Sequence, residues 1–91
     1  MKNQDLADII CLQAITYLVS DEKKLNWLMN ETGITAGDLT ELPANPEVFG
    51  GTLDFLLNHE DILVDFCEQY EIAPDMPARI RPLFPGAVQD Y

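Results

Sequence analysis

Positive charge is what this chain has least of. Five Lys and Arg oppose sixteen Asp and Glu, for a formal net charge of −11. The five are Lys2, Lys23, Lys24, Arg79 and Arg81, and residues 25–78 contain no Lys or Arg at all. Acids run through that same stretch, from Glu31 to Asp75. Such a field repels phosphate backbones and anionic lipid, so nucleic acid is an unfavourable partner and a membrane surface is excluded. Serine occurs once, as Ser20, and histidine once, as His59. No nucleophile elbow can be built around that serine, and one histidine with two distant cysteines cannot supply a zinc site. Cys11 and Cys67 have no partner spacing and sit among apolar residues. They read as buried free thiols, which suits a reducing cytoplasm. No apolar run approaches the ~18 residues of a membrane span. Asp5 and Asp8 interrupt the only apolar run near the N-terminus, so no secretory signal is expected.

Strand-like alternation is also missing, and helical spacing is present almost throughout. The apolar fraction of 47% is ordinary for one globular domain. Leu6, Ile9, Ile10, Ala14, Tyr17 and Leu18 predict a first helix over residues 4–19, with Asn3 as its cap. A second is expected over residues 22–32, with Leu25, Leu28 and Met29 inward and Gly33 as a left-handed stop. Thr35 and Asp38 form a capping-box pattern that starts a short third helix ending near Leu42. Asn45 and Pro46 start a fourth, with Val48, Phe49, Leu53, Leu56 and Leu57 as its buried stripe. Gly50 and Gly51 sit inside it, which implies close approach of another segment or a bend. Asn58 caps a fifth helix over residues 59–71, with Leu63, Phe66, Cys67 and Tyr70 inward. A short sixth is expected over residues 75–81.

The order of elements is stated twice. A shift of 38 residues (15 to 53, 34 to 72) lays Ile15-Thr16-Tyr17-Leu18-Val19 on Leu53-Asp54-Phe55-Leu56-Leu57. The same shift lays Glu22 on Glu60, Leu25 on Leu63, Ile34 on Ile72 and Leu42 on Ile80. One inserted residue also brings Trp27 to Phe66. A fixed-period self-match marks a repeated supersecondary unit. The expectation is an all-α, compact bundle of five to six helices in one domain, residues 1–84. Unit one covers about residues 4–42 and unit two about 45–81. Tyr17 with Phe55, and Trp27 with Phe66, are expected to dominate the core. Residues 85–91 are expected to form a loosely held tail.

Chemistry-bearing constellations are few. His59-Glu60-Asp61 lacks the second histidine of a zinc protease, since position 63 is Leu63, and reads as a solvated first helical turn. Gly50-Gly51-Thr52-Leu53 lacks the lysine of a phosphate loop. No enzyme activity, metal or cofactor is expected. Residues 28–39 have the helix, glycine turn and capped helix of a DNA-reading helix-turn-helix. Asp38 and Glu41 stand where such a helix needs cations, although Arg79 and Arg81 occur in the counterpart segment. That regulator remains the alternative. The leading expectation is a small cytoplasmic interaction module, regulatory or adaptor-like. Its partner is another protein, possibly basic, and a homodimer is open. Glu31, Asp38, Glu41, Asp61, Asp65 and Glu68 are the candidate surface. The same acidity also fits a role in solubility alone.

The run Leu53-Asp54-Phe55-Leu56-Leu57-Asn58-His59-Glu60, with Leu63 and Phe66 after it, resembles a known family. Thr32-Gly33-Ile34, Asp38-Leu39 and the Pro85-Gly86 ending add to the likeness. It is a family of small bacterial cytoplasmic proteins known only as a domain of unknown function, resembled over about residues 14–86. Trp27 stands where a phenylalanine is expected. The resemblance implies a small all-helical domain and carries no catalytic residues.

Overall fold

A computed structural model describes residues 3–41 and 46–86. It is all-helical among those residues. The order is α1 (Asn3–Val19), α2 (Glu22–Thr32), α3 (Ala36–Thr40), α4 (Pro46–Asn58), α5 (Glu60–Gln69) and α6 (Met76–Ile80), then a 3-10 turn, Arg81–Leu83. The positions expected at Leu42 and Asn45, and those from Ala87 onward, lie outside the described residues. Asn3 is the first residue of α1 instead of its cap.

Local chemistry explains the joints of the first half. Asp21 caps α2 by accepting from the backbone N–H groups of Lys23 and Lys24. Gly33 ends α2 at φ 79°, where its N–H reaches the Met29 carbonyl. The Thr35 hydroxyl accepts from the Asp38 N–H while the Asp38 carboxylate accepts from the Thr35 N–H, closing the expected capping box. The second half is different. Asn58 belongs to α4, His59 stands at the cap position of α5, and neither α5 nor α6 has a side-chain cap. Helix α5 stops two residues earlier than expected, with Glu71 held at φ 56° and the Ile72 N–H on the Cys67 carbonyl.

Helix α4 is the centre of the fold and packs against α1, α2, α5, α6 and the 3-10 turn. Its central place follows from its sequence, because Val48, Phe49, Thr52, Leu53, Phe55 and Leu56 bury most of its circumference. The Thr52 hydroxyl is satisfied by donating to the Val48 carbonyl. Helix α4's own Phe49 and Phe55, with Phe66, Leu18 and Leu28 from the helices around it, are the largest fully buried side chains among the described residues.

The aromatic contacts run between the two halves of the chain. Tyr17 lies 5.5 Å from Phe66, and Trp27 lies 5.7 Å from Phe55. Trp27 is not a core residue, being 44% exposed. Helix α2 turns Leu28 inward, and the neighbouring position is then rotated by about 100° to the rim. Leu57 was also expected inside and is exposed, and on α1 Leu6 and Ile9 are exposed. Ala7, Cys11 and Ile15 take the inner face of α1, and Ile62 joins that of α5.

Candidate functional site

Glu47, Gly51, Asp54 and Asn58 are spaced by four, three and four residues along α4. That spacing makes one outward line on a helix. Three depressions open along it and meet at Gly51. The first, about 280 Å³, lies between Glu47 and Gly51 and the α2–α3 joint at Thr32, Ile34 and Asp38. The second, about 320 Å³, lies between Glu47, Gly51 and Asp54 and the C-terminal segment at Arg81, Pro85 and Gly86. The third, about 240 Å³, adds Glu31, Phe55 and Asn58. Together they form a groove over α4. Its floor is low at Gly51 because no side chain fills it.

The two glycines have separate jobs. A Cβ on Gly50 would stand 2.8 Å from the Pro85 carbonyl oxygen and 3.1 Å from Arg81 Nη1. The close approach expected from the sequence is therefore made by the C-terminal segment. Pro85 and Gly86, expected to open a loose tail, lie against α4 and Arg81. A Cβ on Gly51 would meet only the Ile34 side chain, at 3.2 Å.

Arg81 builds one wall. Its Nε donates to Asp54 Oδ1 at 2.6 Å and its Nη2 to Asp54 Oδ2 at 3.0 Å, a bidentate pair. Its Nη1 donates to the Phe84 carbonyl at 3.0 Å. The guanidinium side chain is 9% exposed, against 51% for Asp54. Among the described residues that line the three depressions, Arg81 is the one cation, and Asp54 holds it. Glu31 and Asp38 therefore leave the groove net negative.

The other wall ends in an aromatic cluster. His59 Nε2 lies 2.8 and 2.9 Å from the two carboxylate oxygens of Glu31. A carboxylate only accepts, so this nitrogen carries the proton. The imidazole sits 4.2 Å from the Trp27 ring and 4.6 Å from Phe55. His59, expected to be a solvated first-turn residue, is instead enclosed, with a side chain 16% exposed.

The six carboxylates expected to share a surface are divided. Glu31 and Asp38 line the groove. Glu41 is exposed at the end of α3. Asp61, Asp65 and Glu68 lie exposed on α5 and line none of the three depressions. Asp65 has an internal task, accepting at 2.6 Å from the Tyr17 hydroxyl and also from Gln69. Burial, and then that bond, push the Tyr17 hydroxyl well above the ordinary tyrosine range. Sequence reasoning missed Glu47, Asp54 and Arg81 as neighbours. The one signal that could have found them is the glycine pair, whose helix line also holds Glu47 and Asp54.

Other chemistry is quiet. Both cysteines are free and buried. Burial, followed by the Asp8 carboxylate, raises the Cys11 thiol to about 12 against an opposing effect of Arg81. Burial also raises Cys67. Neither is a thiolate at neutral pH. Among the described residues no three His, Cys, Asp or Glu gather as metal ligands, and no helix is long and apolar enough to cross a membrane. Helices α3 and α6 have five residues each, under two turns. The DNA alternative drew on Arg79 and Arg81: Arg79 is exposed, 3.6 Å from Asp75, and Arg81 is buried against Asp54.

Neither a curated protein nor a solved structure matches the chain. A family model described as "Protein of unknown function (DUF3572)" matches residues 4–87, nearly the whole sequence. The match spans both halves, and the chain belongs to that family of proteins of unknown function.

Proposed function

We propose that this chain is a small cytoplasmic interaction module, regulatory or adaptor-like, with no catalysis of its own. It takes a basic, extended segment of another protein into the groove over α4. One observation carries the reading: three depressions meet at Gly51 between Glu31, Asp38 and Glu47, and the only lining cation among the described residues is held by Asp54. An open trough with a low floor accommodates a backbone, and its charge selects Lys and Arg. The buried free thiols on α1 and α5 favour a reducing compartment.

The test is a titration with a Lys- and Arg-rich peptide, followed through Trp27, the chain's one tryptophan. Its ring touches His59, which Glu31 holds, so occupation beside Glu31 alters its emission. Binding is expected at low salt and should weaken as salt rises. Glu31→Gln and Asp38→Asn should each weaken it by about two- to fivefold. Loss of neither affinity nor salt sensitivity in the double variant would overturn the groove. Tight binding to random duplex DNA with a steep salt slope would favour the helix-turn-helix regulator instead.

A further inference from the structure

Helix α4 carries two adjacent glycines, and the fold accounts for one of them. Gly50 is buried, and a Cβ there would stand 2.8 Å from the Pro85 carbonyl oxygen. Gly51 is half-buried, and a Cβ there would meet only the Ile34 side chain, at 3.2 Å from its Cδ1 end. A glycine inside a helix weakens it relative to alanine. At Gly51 no backbone contact within the chain calls for that loss. What the missing side chain leaves is the low point at which the three depressions over α4 join.

The groove also has two unlike walls. On one side stand the end of α2 and the start of α3, with the carboxylates of Glu31 and Asp38. On the other stands the C-terminal segment, with Pro85, Gly86 and an Arg81 guanidinium neutralised by Asp54. A carboxylate offers about four acceptor sites. Glu31 spends part of its own on one His59 N–H, and Asp38 part on the Thr35 N–H, so the anionic wall keeps capacity for a further donor. A cation gains on that wall and meets Arg81 on the other.

On the proposal that the groove over α4 takes a basic extended segment, we infer that the segment lays its main chain on Gly51 and is read as an alternating pattern, Lys or Arg at every second position with uncharged residues between. Close approach at Gly51 leaves no room for a side chain to point at the helix. Successive side chains of an extended chain lie on opposite sides of it, so they go to the two walls in turn. Cations two positions apart both face the wall of Glu31 and Asp38. The residue between them lies beside Pro85 and Gly86, where a charge has no partner. The line from Glu47 to Asn58 runs about 16 Å, the reach of about five extended residues.

Two peptides of Ser and Arg with blocked ends and one composition test this, titrated against the full chain at about 50 mM salt and followed through Trp27. One has its three Arg at every second position, the other at every third. In the second, cations on the same side of the chain lie about 20 Å apart, farther than the groove is long. The alternating peptide should bind about three- to fivefold tighter. Gly51→Ala should weaken it by at least about fivefold, because the new Cβ stands where the main chain passes. The thermal midpoint of that variant should stay at or above the parent's. Equal affinity for the two peptides overturns the inference, and so does a Gly51→Ala protein that binds the alternating peptide like the parent. In both cases the binding itself leaves the proposed function standing. A midpoint well below the parent's assigns Gly51 to packing and overturns the inference as well. A chain that binds neither peptide overturns the proposed function and the inference together.

Discussion

The two halves of this molecule list the same elements and hold them together by different means. In α1 to α3, joints are made by groups within five residues of each other: Asp21 on the N–H groups of Lys23 and Lys24, Gly33 on Met29, Thr35 with Asp38. In α4 to the 3-10 turn, α5 and α6 have no side-chain cap. The tie there is Arg81 on Asp54, 27 residues apart, with Gly50 clearing room for it. Gly33 and Glu71 state the contrast at two helix ends. Both are at positive φ, Gly33 directly after α2 and Glu71 two residues past the end of α5. The first half fills this position with the residue that tolerates it, and the second with one that does not. Local signals suffice for the first half. The second relies on packing against α4, so the groove and the C-terminal segment are one energetic unit.

The largest test of this contrast removes the tie. Asp54→Ala leaves a buried guanidinium facing no carboxylate and should cost about 2–3 kcal/mol in urea unfolding. Arg81→Met removes the charge with its need for a partner and should cost less. If the two losses are equal, or if both are negligible, the second half is not held by this pair. Gly50→Ala comes next. Helix propensity favours Ala by roughly 1 kcal/mol, but the new Cβ meets a backbone carbonyl at 2.8 Å that cannot swing aside. A net loss of about 1–2 kcal/mol is expected, with overpacking outweighing propensity. Gly51→Ala meets only the end of Ile34, which can turn, so it should be neutral or stabilising by up to about 1 kcal/mol. An equal response at the two glycines would show that the C-terminal segment yields. The smallest effects belong to the helix ends. Gly33→Ala should lose about 1 kcal/mol, purely from backbone conformation, since nothing lies within 4 Å of the new Cβ. Glu71→Gly should gain up to about 1 kcal/mol. Thermal midpoints moving in the same direction for both would break the comparison.

These contrasts coincide with what could be read in advance. Helix α2 was legible to the residue, Glu22–Thr32, because its start and stop are written in adjacent side chains. Helix α5 was misread at both ends. His59 stands at its start without capping, and its last turn is closed by a strained glutamate. The acidic surface was legible as composition but not as a place. Glu31 reached the groove because α2 ends there, while Asp65 was claimed by Tyr17, 48 residues away. Leu57 and Trp27 were read as core because apolar spacing does not say which side of a helix is inward.

The sequence by itself determined that the chain is helical, where α2 begins and ends and where α3 begins, and that its surface is anionic. Caps, turns and net charge depend on neighbours in the chain or on none. Tertiary structure alone decided which faces meet. It placed α4 at the centre, drew Glu31, Asp38 and Glu47 around Gly51, tied Arg81 to Asp54, and left one neutral apolar face of α1 outside. Those outcomes depend on how whole helix faces compete for the same core, and no residue's neighbours in the chain carry that information.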